Sequence, residues 1–403
     1  MLALEALANF ERTTTKSHII MPTTRRDFLN TITKGAAAAS LAPLVGTAFD
    51  GTDLAPESGV NPIISQPAGS FESIQTHYRP PYKIGMGGVA IGNGFKETSD
   101  TEALQAMQGA WDAGIRYFDT SPWYGLGMSE RRMGSFLHGK DKKDYVISTK
   151  VGRLMYPDAN FTHNMWKGRL NFNYKYDYTA EGVRKSVEDS LLRLGIPALD
   201  IVFIHDLSPD NADMKDKWLD YFKIAQNGAM KELTKMRDEG LIKGWGLGVN
   251  TIEPAMKTLE VADPDIFLSA TQYSLVKHKD DLEVLFPACE KRGVGIVVGA
   301  PLAAGLLGGA DRYLYSGEKP KEIMDKYAKM KKIAAAHKVD LRTAALQFTA
   351  APAVVASTIP GARTAQQVTE NAASMTVKIP ADFWAELKKE KLIEQGAAVP
   401  KTV

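Results

Sequence analysis

The sequence predicts an α/β protein built as a (β/α)8 TIM barrel, and three observations carry that reading. After residue 80, short apolar runs alternate with longer amphipathic segments, the rhythm of βα units around a parallel sheet. Eight such runs occur, each followed by a helical segment, and a closed barrel is the economical way to arrange them. The glycine-rich stretch of the first run, "GMGGVAIGNG", neither satisfies G-x-G-x-x-G nor opens a helix, which disfavours a doubly wound open sheet.

The strand candidates are "IGMGGVAIG" (84–92), "IRYFDT" (115–120), "YVISTKV" (145–151) and "LDIVFIHD" (199–206). Four more follow: "IKGWGLGV" (242–249), "IFLSATQ" (266–272), "VGIVVGAP" (294–301) and "VVASTIPG" (354–361). The clearest helix lies between the fourth strand and the loop before it. In 179–195, Val183, Val187, Leu191 and Leu194 recur at spacings of three to four, with Thr179 as N-cap and Gly195 as stop. Helical patterns also cover 101–114, 280–293 and 364–374.

The 403 residues are 44% hydrophobic and 24% charged, an ordinary globular balance, and the net charge of +2 offers no broad basic field for nucleic acid. A single cysteine, Cys289, excludes an internal disulfide, a cysteine-rich zinc site and a Cys-ligated iron–sulfur cluster. The histidines show no paired ligand spacing, and no metal is expected. No apolar run reaches the ~18 residues of a membrane span.

Residues 1–48 read as an N-terminal extension and leader. Arg25 and Arg26 precede Phe28 and Leu29, then comes a mildly apolar, alanine-rich stretch ending in small residues. This layout resembles a twin-arginine signal peptide, with Met21 as a plausible start and cleavage after Ala48. It implies the twin-arginine export machinery as a partner and a periplasmic location, or a cytoplasmic one should the leader not function. Residues 49–80, rich in Pro, Gly and Ser, read as a linker or arm, and 81–403 as the barrel.

In such barrels chemistry gathers at the carboxyl ends of the strands. There the second strand ends in Asp119 with Tyr124 in the following loop, the third ends at Lys150 and the fourth at His205. The four form one coherent acid/base unit. A phenol with a pKa near ~10 is a poor proton carrier at neutral pH. A nearby ammonium lowers that value, a carboxylate keeps the lysine charged, and a histidine orients the substrate oxygen.

These residues, with "YFDTSPWYGLGMSERRMG", "YVISTKVGRL", "VEDSLLRLG", "DIVFIHD", "CEKRGVGIVVGAP" and "IPGARTAQQVTEN", resemble the aldo-keto reductase superfamily, in its aldose 1-dehydrogenase-like branch of L-fucose, D-threo-aldose and pyridoxal dehydrogenases. The resemblance implies Tyr124 as general acid/base, Lys150 as its pKa partner, Asp119 as the lysine's counter-ion and His205 as substrate orienter. It implies NADP or NAD as cofactor, because side chains cannot carry hydride. Asn250 and Gln272 would bind the nicotinamide carboxamide. Leu302, Ala304 and Gly305 would offer backbone N–H groups to the pyrophosphate. Arg363, Gln367 and Asn371 would surround the adenosine end, at a helix N-terminus that favours phosphate. Val249, Gly299, Gly361 and Gln367 depart from the usual superfamily pattern, and the loss of cations there leaves the choice between NAD and NADP open.

The stretch 152–178 has many aromatics and no clean period, as expected of a loop covering an active site. Trp123, beside Tyr124, is expected to form a wall for a sugar or another amphipathic ring. The expected function is NAD(P)-dependent hydride transfer at the C1 hydroxyl or carbonyl of an aldose. The alternatives are a reductase of non-sugar aldehydes or ketones, and a non-catalytic nucleotide-binding regulatory barrel.

Overall fold

The computed structural model describes residues 77–400 apart from 169–170. The leader over 1–48, and the arm over 49–80 except its last four residues, lie outside the described residues. Eight parallel strands pair in chain order: β1 (Met86–Gly87), β2 (Tyr117–Asp119), β3 (Val146–Val151), β6 (Ile201–His205), β7 (Gly244–Val249), β8 (Ile266–Ala270), β9 (Gly295–Gly299) and β10 (Val355–Ile359). The ends of the sheet meet. Gly85 N–H donates to the Thr358 carbonyl at 2.9 Å, and Gly87 N–H to that of Pro360 at 3.1 Å, which closes the barrel.

The helices form where their sequence signals lie. Helix α1 (Asp100–Asp112) opens on a capping box of Ser99 and Glu102. The next is α2 (Met128–Leu137), and α3 (Ala180–Leu194) runs from the Thr179 cap to Gly195 at φ 63°. The expected first strand is cut short. After Gly87 the chain coils into a 3-10 turn, Ala90–Gly92, and leaves through Asn93 at φ 63°. The expected structureless loop after Lys150 is instead an antiparallel hairpin, β4 (Arg153–Pro157) with β5 (Phe172–Tyr176).

Period-two alternation divides the core. One set packs inside the barrel, among it Tyr117, Val146, Phe203, Leu268 and Val297, with Tyr78 and Tyr82 of the incoming chain against it. The other, including Trp245, Leu247 and Phe267, packs between strands and helices. Every second residue of β7 is glycine. A Cβ at Gly246 would lie 1.8 Å from the Ile266 carbonyl oxygen, so only glycine lets these two strands approach. At Gly248 a Cβ would come within 3.3 Å of the Phe203 Cβ, a tight approach on the neighbouring strand.

A buried acid stands beside the end of β8. Asp281 is fully buried at the start of a π turn, Asp281–Leu285, and accepts the Ser269 hydroxyl at 2.7 Å. Its other oxygen has no hydrogen-bond partner. Burial pushes the carboxyl from 3.8 up to about 7. The unfolded chain therefore ionises first as pH rises, and stability falls between those two values before levelling. Asp281→Asn is expected to raise Tm clearly at pH 8 and little at pH 4; a Tm loss of equal size at both would refute this.

Candidate active site

Strand register brings the expected residues to one rim. Asp119 is paired with Ser148, Lys150 with Phe203 and His205 with Gly248, so inward-facing positions on β2, β3 and β6 climb toward the mouth. The turns beyond are tight. Asp206, Thr271 and Ala300, which follow β6, β8 and β9, all take positive φ, a strained choice for non-glycine residues that clusters at functional sites. A cleft opens there, lined by Trp123, Tyr124, Lys150, His205, Asn250 and Tyr315, with Gly248, Leu268 and Ala270 also in its lining.

Asp119 and Lys150 are each almost wholly buried and form an ion pair, the ammonium bonding both carboxylate oxygens at 3.0 and 2.8 Å. Its third bond goes to the Thr120 carbonyl at 2.8 Å. Ser148 holds the same carboxylate at 2.7 Å. The lysine nitrogen sits 4.7 Å from the centre of the Tyr124 ring, and the rings of Tyr124 and His205 are 5.9 Å apart.

This geometry corrects the expected electrostatics. The ammonium spends its three protons on Asp119 and Thr120, leaving none for the phenol. Burial, followed by the carboxylate of Asp119, the Tyr315 phenol and Asp206, holds Tyr124 well above the ordinary value, with Arg153 opposing. Tyr124 is thus a protonated donor here, not a lowered acid. His205 moves the other way: burial, then Arg153 and Lys150, keep the imidazole neutral far below its usual pKa.

The sequence matches the Aldo/keto reductase family over residues 83–391. The chain belongs to that family. This aldo/keto reductase is 36% identical over 321 residues to D-threo-aldose 1-dehydrogenase of a Pseudomonas species, covering 77% of this chain and 94% of that one. It is 34% identical over 326 residues to pyridoxal 4-dehydrogenase of Microbacterium luteolum, with the same coverage of 77% and 94%. Its fold matches glycerol dehydrogenase of Gluconobacter oxydans with a TM-score of 0.58 at 21% identity, covering 82% of this chain and 98% of that one. The chain is accordingly an oxidoreductase of the aldo/keto reductase family.

The expected cofactor residues of the aldo/keto reductase are placed unevenly. The Gln272 side-chain amide donates to the Asn250 backbone carbonyl, and the Asn250 side chain donates to Asp210 at 3.0 Å. Leu302, Ala304 and Gly305 sit in a tight turn that uses some of its own N–H groups: those of Gly305 and Leu307 bond the Leu302 carbonyl, and Arg312 caps the Ala304 carbonyl at 2.9 Å. Arg363 does not reach outward. Its guanidinium grips the loop after β1 through the carbonyls of Ala90, Gly94 and Lys96 and the Thr98 hydroxyl. Gln367 is exposed and accepts the Arg363 N–H at 2.9 Å, while Asn371 lies on the buried face of its helix with Val368 and Ser374.

Trp123 stands in the cleft wall as expected, edge-on to His163, Trp166 and Tyr174. Residues not foreseen also reach the site. Tyr315 stacks on Phe95, 6.4 Å between centroids, and lines the cleft from the loop after β9. Arg153, beginning the hairpin, and Asp206 stand beside His205. The dipeptides "GR" after the third strand and "HD" at the end of the fourth were the available signals.

Proposed function

We propose that this oxidoreductase is an NAD(P)-dependent aldose dehydrogenase, moving hydride between C1 of a pyranose and the nicotinamide. One observation carries the reading: a phenol, a neutral imidazole and an aromatic wall share a single cleft with Asn250, whose backbone carbonyl takes the Gln272 amide. The aromatic face of Trp123 suits the apolar face of a sugar ring, and the surrounding polar groups suit its hydroxyls. The names of the two relatives at 36% and 34% identity, an aldose and a pyridoxal dehydrogenase, support the same class.

When bound, the nicotinamide carries the hydride that no side chain can hold. Asn250 and Gln272 would hold its carboxamide. His205 donates to the C1 oxygen and orients it, Tyr124 relays the hydroxyl proton, giving up its own as it takes the sugar's, and the Lys150 ammonium held by Asp119 lies against the phenol ring. The raised phenol favours a second reading, reduction of an aldehyde or ketone, in which Tyr124 gives its proton to the nascent alkoxide. On the sequence evidence the leader at 1–48 carries the folded enzyme, with nucleotide held, to the periplasm.

A single experiment tests all three parts. Periplasmic and cytoplasmic fractions of cells expressing the full chain are assayed with a panel of aldoses and non-sugar aldehydes, with NAD, NADP and their reduced forms. Aldose oxidation concentrated in the periplasm supports the proposal. Turnover of non-sugar aldehydes alone selects the reductase, and activity confined to the cytoplasm removes the export reading.

A further inference from the structure

We propose that Arg153 is a positioning residue that locks His205 in its neutral tautomer with the proton on Nε2, so that the ring can only donate to the substrate oxygen. The inference deepens the proposed reaction and rests on it for its catalytic meaning. Its structural content does not depend on turnover.

Arg153 is 6% exposed, and its Nη1 lies 3.2 Å from His205 Nδ1 and 2.9 Å from Asp206 Oδ2. A guanidinium has five N–H donors and no acceptor, and it stays charged at any physiological pH. Nδ1 must therefore accept, which leaves the ring proton on Nε2. Ser121 Oγ is also 3.1 Å from Nδ1 and already accepts the Trp123 N–H at 3.1 Å. A serine hydroxyl can accept as well as donate. Without the arginine, Nδ1–H···Oγ becomes equally available, and Nε2 turns into an acceptor that cannot bind an alkoxide or carbonyl.

The arginine is fixed for this task. Its Nη2 donates to the Tyr176 hydroxyl at 2.9 Å, and its guanidinium carbon lies 4.8 Å from the Trp123 ring and 4.9 Å from that of Tyr176. Such faces hold a planar cation in one orientation. The groups around the His205 ring are Arg153 from β4, Lys150 from β3, Asp206 at the end of β6, Tyr124 from the loop after β2, and Tyr315 across the cleft. Asp206 Oδ1 is 3.5 Å from Nε2, a carboxylate on the side where a proton on Nε2 is favoured.

The test is ring-nitrogen NMR on the full-length protein labelled in histidine, with His205 assigned by loss of its signals in His205→Asn. In the wild type the ring is expected as the neutral Nε2–H tautomer across the accessible pH range. Arg153→Met should shift it toward Nδ1–H and make it titrate; Arg153→Lys should restore part of the wild-type signal. In parallel, kcat of Arg153→Met should fall on the order of 10²-fold, the size expected for losing one oriented donor. KM should change little, and the rate should gain an acidic limb as the ring protonates. A wild-type ring protonated on Nδ1, or a signal unchanged in Arg153→Met, overturns the proposal. Should Arg153→Met not fold, the wild-type tautomer and Arg153→Lys still decide it. A wild type without aldose turnover but with the Nε2–H ring sinks the proposed reaction and leaves the tautomer assignment standing.

Discussion

Tyr124→Phe loses turnover by about 10² to 10⁴-fold, the contribution of a positioned acid/base, while its melting temperature and its affinity for reduced nicotinamide stay close to wild type. The phenol oxygen is the only heavy atom removed, and the ring that remains still lines the cleft and packs against Leu126 and Trp166. Because burial and nearby carboxylates hold this phenol protonated, the wild-type rate of reduction should stay flat through neutral pH. It should fall only in strongly basic solution, as the proton is lost. Steady-state kinetics with the two enzymes, paired with fluorescence titration of the nucleotide, gives both quantities. Turnover within threefold of wild type would remove Tyr124 from the mechanism.

Lys150→Met destabilises the protein by roughly 3–5 kcal/mol, because it leaves a buried carboxylate facing an apolar side chain. Asp119 then retains the Ser148 hydroxyl as its remaining side-chain donor. The Thr120 carbonyl also loses its ammonium partner. Adding Asp119→Asn should recover much of that stability and none of the turnover, since the neutral pair is tolerated by the fold and useless to the phenol. Urea unfolding of the single and double variants measures the recovery. A double variant no more stable than Lys150→Met would show that the pair is not electrostatically coupled.

Much of the site was legible because barrel topology converts strand endings into neighbours. Asp119, Lys150 and His205 end their strands, and period-two alternation turns all three inward. What stayed hidden depended on atoms rather than positions. That the ammonium exhausts its protons on Asp119 and the Thr120 carbonyl cannot be read from residue order, nor can the burial that sets the sign of the Tyr124 shift. The β4–β5 hairpin was concealed by composition. Its strands carry alternating aromatics and polar residues, such as Tyr174 and Tyr176 opposite Met155 and Arg153, without the β-branched run that marks barrel strands. The clamp that Arg363 makes on the loop after β1 was hidden because exposed arginines and clamping arginines share one letter, and only the acceptors around it tell them apart.

The hairpin gives this enzyme a division of labour. Asp119, Lys150 and His205 stand on the barrel staves, whereas Met165 enters the cleft wall from the loop joining β4 to β5, one excursion of chain anchored through a caged guanidinium. Selectivity can consequently drift by rewriting that excursion while the acid/base apparatus stays untouched, provided the anchoring cation is kept.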